Sequence, residues 1–245
     1  MTIVLWSVLF SPLRSLALEP RVIYDGRLTL KPTKPAGSDS VLMQERVFPA
    51  ARKEWHEQER DQECLAGTLP AVIDVAQGAF TKPGSKQKAV LYQYCESGHN
   101  LGLSGIAVIE DNRVVSHLVF EGASDTAIGA LPDINENGRS EILLAAGGTN
   151  QGFTWGAIRI IELSDTIVLT KFGRTETFLD DCGVAEKNGK ATAYRLSVAT
   201  GTTPVCYRES FINKGACEGT GTWKKLLPQK RISLENDESE YQFIR

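Results

Sequence analysis

The sequence predicts an all-β protein of propeller-type, repeated four-stranded blades, about three or four of them and not necessarily a closed set, with one N-terminal surface helix. Three observations carry this. From residue 71 onward, short runs of β-branched and aromatic residues alternate with turn signals, and no helical pattern interrupts them. Segments opening at Phe80, Leu131 and Phe178 repeat about fifty residues apart, the size of a four-stranded blade. The second copy holds the loop Asp133-Ile-Asn-Glu-Asn-Gly-Arg-Ser-Glu141, directly followed by the apolar run Ile142–Ala146.

The first residues bear on compartment. Ile3 to Phe10 is a short apolar stretch, and Ser15-Leu16-Ala17 places small residues where a signal peptidase would need them. Residues 1–17 therefore resemble a secretory signal peptide, and a secreted or periplasmic protein is expected. No Lys or Arg precedes the apolar run, so an ordinary buried strand in a cytoplasmic protein is the other reading. The stretch is too short to span a bilayer as a helix, and no transmembrane segment is expected in the mature chain.

Residues 18–70 form an irregular N-terminal segment broken by Pro20, Pro32 and Pro35, with a helix expected over 49–64. Pro49 suits a first helical turn, and good helix formers follow. Its apolar stripe is thin, chiefly Ala51 and Trp55. A helix this polar lies on the surface, anchored by Trp55, or docks on a partner.

The β-repeat domain is expected over 71–245. Strands are read at 72–75, 89–94, 106–109, 114–120, 142–146, 157–163, 167–172, 191–198 and 207–212, with a further strand-like stretch at 241–244. Asp111-Asn112 between two of them signals a hairpin.

Five cysteines are present, none in a Cys-x-x-Cys pair, so neither a zinc ribbon nor a thioredoxin-type motif is indicated. Export would imply one or two disulfides, with Cys206 and Cys217 the expected pair. Five buried thiols is the competing reading. The formal net charge of −3 argues against nucleic acid as a partner.

The 133–141 loop carries the clearest chemistry. Asp133, Asn135, Asn137 and Glu141 stand at its first, third, fifth and ninth positions, Gly138 supplies a sharp turn at the sixth, and Arg139 would offer a backbone carbonyl at the seventh. That spacing can wrap oxygen ligands around one hard cation, most simply Ca2+. Only two carboxylates face the ion, so binding should be weak. The competing reading is a set of Asx turns without an ion. The loop, the apolar strand after it, Gly156-Ala157-Ile158-Arg159-Ile160 and Phe172-Gly173 together resemble an FG-GAP repeat, the calcium-loop blade of integrin α-chain propellers. The resemblance is good over residues 131–174. It implies a β-propeller blade, a calcium site on those loop residues and a binding role. The flanking copies are degenerate: the first carries Lys82, Lys86 and Lys88, and the third keeps Asp180 and Asp181 with different spacing afterwards.

No catalytic residue is assigned. His56, His99 and His117 fall in no His-Glu-x-x-His, Gly-x-Ser-x-Gly or P-loop pattern. The segment 147–156 mixes glycines, amides and aromatics, and Asn150, Gln151, Phe153 and Trp155 are the candidate ligand-binding residues, suited to a protein or carbohydrate. Its competing reading is a long hairpin connection with both aromatics packed inward. Lys224, Lys225, Lys230 and Arg231 form a basic patch before the acidic Glu235, Asp237, Glu238 and Glu240, expected to be a solvated edge. The leading expectation is an exported, non-enzymatic binding or adhesion module with one weak calcium loop. The alternatives are a secreted hydrolase or lyase acting on polysaccharide or peptide, and a structural subunit docking through its helix.

Overall fold

The computed structural model describes residues 19–57, 68–98, 101–122, 125–163, 168–185, 189–233 and 243–244. The expected signal segment 1–17, residues 58–64 of the expected helix, Cys64, His99, the acidic run 235–240 and the side chains of Trp55 and His56 lie outside the described residues.

Two antiparallel sheets make up the protein. In the first, β2 (Ala71–Gly78), β3 (Gln87–Gly98), β4 (Leu101–Glu110) and β5 (Arg113–Glu121) form a meander, and β13 (Phe243–Ile244) adds to β5. In the second, β6 (Asp125–Ala130), β7 (Ile142–Asn150), β8 (Phe153–Leu163), β9 (Val168–Asp180), β10 (Ala191–Ala199), β11 (Val205–Asn213) and β12 (Lys224–Ile232) each pair with the next. A first strand, β1 (Arg21–Asp25), pairs with β10. No closed barrel forms among the described residues. The β4–β5 hairpin turns on Asp111 and Asn112, both at positive φ as a type I′ turn requires.

Packing makes this a layered stack. One face of the first sheet buries Val90, Tyr92, Leu103, Ala107 and Ile109 beneath the helix. Its other face sets Ala89, Leu91, Ile106, Val108 and Phe120 against Ile128, Ile142, Leu144, Ile161 and Leu163 of β6, β7 and β8. The reverse side of β7 and β8, with Leu143, Ala145, Ile158 and Ile160, packs on Leu196, Val198 and Cys206 of β10 and β11. The second sheet therefore folds back on itself, and β7 is covered on both faces. That is why Ile142–Ala146 reads as an unbroken apolar run rather than an alternating one. Asp74, almost fully buried, stitches the sheets: one carboxylate oxygen accepts the Val75 N–H at 2.8 Å and the other accepts the Ile128 N–H at 2.8 Å.

The helix differs from the expected 49–64. It runs without a break through α1 (Gly37–Leu42), a π-helical turn (Met43–Val47) and α2 (Phe48–Glu57). Pro49 is thus internal. Lacking an N–H, it cannot bond the carbonyl four residues back, and the chain widens just before it, where the Phe48 N–H reaches the Met43 carbonyl five residues away. The buried stripe is Met43, Val47 and Ala51, spaced by four, and it lies on the first sheet of its own chain. Asp39 near the helix start is buried and paired with Lys88 at 2.9 Å. No described helix is long and apolar enough to cross a membrane.

The expected Cys206–Cys217 bridge does not form. Cys182 is bonded to Cys217, with Cα atoms 5.2 Å apart, and Cys95 is also disulfide-bonded. Cys206 is a buried free thiol. Its place in β11, opposite Val198, turns its side chain into the core among Leu196 and Ile134, away from the loop that carries Cys217.

Candidate functional site

The 131–141 loop joins β6 to β7 and is closed by the Leu131 N–H donating to the Glu141 carbonyl at 2.8 Å. Its short polar side chains bond their own backbone. Asp133 accepts the Asn137 N–H at 3.0 Å and the Gly138 N–H at 2.6 Å. The Asn135 amide oxygen accepts the Asn137 N–H at 3.2 Å, and the Asn137 amide oxygen accepts the Arg139 N–H at 2.9 Å. Gly138 has a φ of +85°, and a β-carbon there would stand 2.8 Å from that of Pro83, so a side chain is excluded by both conformation and space. Neighbours clamp the loop from two sides: the Ser140 N–H donates to the Ala79 carbonyl at 2.8 Å, and the Gly201 N–H to the Ile134 carbonyl at 3.0 Å.

A residue that the sequence reading missed sits against this loop. Glu162 of β8 is fully buried. Its carboxylate accepts from the side-chain amides of Asn135 at 2.7 Å and Asn137 at 2.8 Å, and forms an ion pair with the Arg139 guanidinium. The signal was present as one acid inside the apolar run Ile160-Ile161-Glu162-Leu163. Arg139 thus enters the site through its side chain, which the sequence reading had not considered. Glu141 is fully buried too. One of its oxygens accepts the Ile134 N–H at 3.0 Å, while the other has no partner. Burial, reinforced by the charges of Asp133 and Glu162, pushes its pKa up to about 7. The carboxylates of Asp133, Glu141 and Glu162 do not all lie within 4.8 Å of one another.

The first copy of the repeat makes an instructive comparison. Gln87 enters β3 as Glu141 precedes β7, and its amide oxygen accepts the Phe80 and Thr81 N–H groups, each at 2.9 Å. Its amide nitrogen donates to the Thr81 hydroxyl at 2.8 Å. The copy with lysines in its loop has a neutral, bonded side chain where the second copy has a buried acid with an orphan oxygen.

Segment 147–156 proves to be a two-residue hairpin. β7 and β8 pair as far as Asn150 and Phe153, and the turn is Gln151 and Gly152, both at positive φ. Asn150, Gln151 and Phe153 are exposed, with Phe153 at 40%. Trp155 is half-buried, with the Arg174 guanidinium 5.6 Å from its ring centre. The tip rests on the turn after β9: a β-carbon on Gly152 would come within 2.7 Å of the Gly183 carbonyl oxygen. The neighbouring Cys182–Cys217 bridge anchors that turn.

The remaining candidates are structural in their contacts. His117 shares a hydrogen bond with the buried Tyr92 hydroxyl through Nε2, and burial pushes its pKa down to about 4. Asp180 accepts the Cys182 N–H at 2.6 Å and Asp181 the Lys190 N–H at 2.6 Å, both within the turn. Asp180, Cys182 and Cys217 are the one such acid and thiol cluster among the described residues, but both of its sulfurs are spent in the disulfide. Lys224, Lys225, Lys230 and Arg231 lie along the exposed edge strand β12, with Lys225 paired to Glu209. A cavity of about 360 Å³ at the β11–β12 connection is lined by Asn213, Lys214, Thr220, Thr222 and Lys224, among others. Asp125 is buried with one oxygen lacking a partner, and burial raises its pKa to about 6 despite the positive charge of Arg159 and Arg174.

Comparison with known proteins finds no matching protein-family model, no matching curated protein and no matching solved structure.

Proposed function

We propose that the chain is an exported binding module built of FG-GAP-like blades, in which Ca2+ stiffens the 133–141 loop and the β7–β8 hairpin tip meets a protein or carbohydrate ligand. The observation that carries the metal is the buried, unpartnered oxygen of Glu141, in a loop that also gathers Asp133 and Glu162. A buried carboxylate oxygen without a donor is costly, and a hard cation is a partner that oxygen ligands suit. Asp133, Asn135, Asn137 and Glu141 would hold the ion, with the Arg139 carbonyl as a further ligand. The cation would supply rigidity rather than chemistry.

The blade reading is supported by β2–β5 and β6–β9, two four-stranded antiparallel meanders stacked face to face. In both, the repeated loop joins the first strand to the second. The binding reading is supported by an exposed Phe153 beside Asn150 and Gln151, a mixture of apolar surface and amides suited to sugar or peptide contacts.

Thermal melts and calorimetric titration of the full chain with CaCl2, against a chelator, test the reading. Calcium should raise the melting temperature of the wild type and leave Asp133→Ala unmoved. A wild type that gives no binding heat and melts alike in millimolar calcium and in chelator would remove the metal. Probing glycan and peptide arrays with wild type and Phe153→Ala tests the tip, which is refuted if both give the same pattern.

A further inference from the structure

We infer that Arg139 is a built-in counter-cation that holds the loop when no divalent ion is bound, and that it must leave Glu162 for the ion to enter with Glu162 as an added ligand. This rests on the calcium reading above and concerns how that site is regulated.

Side chains at alternate loop positions, Asn135, Asn137 and Arg139, all converge on the Glu162 carboxylate. In a filled calcium loop, side chains at alternate positions converge on the ion instead. Here they present N–H donors, and what they surround is an acid from the neighbouring strand. Two further carboxylates of the loop, Asp133 and Glu141, stand beside this cluster, and Glu141 is buried with one oxygen unbonded. The fit of Arg139 is also incomplete. Its Nε is buried without a hydrogen-bond partner, and Glu141 keeps its orphan oxygen. The arrangement is one of two states. In one, Arg139 neutralises Glu162 and the carboxylates stand apart. In the other, the guanidinium swings out to solvent, which its 22% side-chain exposure already touches, and the carboxylates close on the cation. A ligand that binds only one of two states pays for the conversion in apparent affinity, and removing the competing contact restores it.

The test is calorimetric titration of the full chain with CaCl2, run on wild type, Arg139→Gln, Arg139→Lys and Glu162→Gln, with melts in calcium and in chelator. Arg139→Gln should bind calcium about tenfold more tightly than wild type, within the usual range of couplings between sites. It should melt lower than wild type in chelator and recover in calcium, a crossing that a merely structural arginine would not give. Arg139→Lys, which keeps the charge without the planar fork, should fall between the two, and it carries the comparison should Arg139→Gln fail to fold. Glu162→Gln should weaken binding. Tighter binding by Arg139→Gln than by wild type, together with that crossing of the melts, supports the inference. Wild-type binding that neither arginine variant tightens, or that Glu162→Gln leaves unchanged, would overturn the inference and leave the calcium loop standing. Absence of binding in every variant would remove both.

Discussion

His117 gives the protein a built-in sensitivity to acid that can be worked out from the structure. The imidazole lies beneath the helix, its Nε2 hydrogen-bonded to the Tyr92 hydroxyl, with Phe48 edge-on to the same tyrosine ring. Burial favours the neutral ring and drops its pKa from 6.5 to about 4. The folded value is depressed, so between about pH 6.5 and 4 the unfolded chain takes up a proton that the folded chain refuses. Stability from this group is complete above pH 6.5 and is lost as pH falls towards 4. At about 1.4 kcal/mol per pH unit, the loss between pH 7.5 and 4.5 is about 2–3 kcal/mol. That is a large share of the ~5–15 kcal/mol that holds a domain together. Asp125 and Glu141 have raised values and titrate in the opposite sense, so the wild-type profile alone does not isolate the histidine. The difference between wild type and His117→Gln does. Urea unfolding followed by tryptophan fluorescence at a series of pH values should show the wild type losing about 2–3 kcal/mol more than the variant on going from pH 7.5 to 4.5. A difference that does not change with pH, or a variant that is the more acid-sensitive of the two, would refute the assignment of a buried, neutral imidazole.

Asp125 should behave in mirror image. Its folded pKa is raised from 3.8 to about 6, so its contribution is present in acid and lost as pH rises between those values. Asp125→Asn should therefore unfold at higher urea than wild type at pH 7.5, by up to about 3 kcal/mol, with the advantage fading towards pH 4. An equal advantage at both ends would show that packing, not charge, is responsible. Gly138→Ala should cost about 1–3 kcal/mol in a thermal melt. Adding Pro83→Gly should return the part due to contact and leave the part due to positive φ, and strict additivity of the two changes would rule out their contact. Replacing Cys182 and Cys217 together by Ser should cost about 3–4 kcal/mol, as expected for a closed loop of this length, and the exposed tip at Phe153 should become the first site of limited proteolysis. Unchanged stability would mean that the unfolded chain is already compact there.

What the sequence shows and hides follows from how far each signal reaches along the chain. Period-two patterns and I′ turns are local, so the Asp111-Asn112 hairpin and most strands from 71 onward are legible, while the short β6 and the polar edge strand β12 are not. The helix is less so. Its stripe of Met43, Val47 and Ala51 is interrupted by charged residues and by Pro49, and the π-turn that absorbs the proline leaves no mark in composition. β1 is short, flanked by prolines and defined only by a partner far along the chain in β10. The 133–141 loop shows its pattern of oxygen-bearing side chains because those residues lie within nine positions. Glu162 belongs to it through strand pairing, and proximity created by a sheet is invisible to spacing. The disulfide fails for the same reason: Cys206 and Cys217 are near in sequence, but the strand places one inward and the other on a surface turn.

The position of the loop limits what a cation there can do. β7 begins at Ile142, directly after the loop, and ends at Asn150, at the hairpin tip. At about 3.3 Å per residue the two ends are about 26 Å apart. A ligand held by Asn150, Gln151 and Phe153 would therefore not touch an ion in the loop, and calcium there could not bridge protein to ligand. Its influence must pass through the layers. The loop is bonded to Ala79 on one side and to the Gly201 turn on the other, and Ile134 from its centre is buried with Leu143, Leu196 and Val198. Ordering it fixes the contact of the middle layer with both neighbours at one end of the stack. The tip is fixed separately, by the Gly152–Gly183 contact and the Cys182–Cys217 bridge. Chelation should accordingly lower the cooperativity and midpoint of unfolding while leaving tip affinity nearly unchanged at moderate temperature, whereas loss of the Cys182–Cys217 bridge should lower stability and tip affinity together. The two ends of one hairpin are thus held by two different chemistries, a guanidinium–carboxylate pair at the base and a disulfide beside the tip.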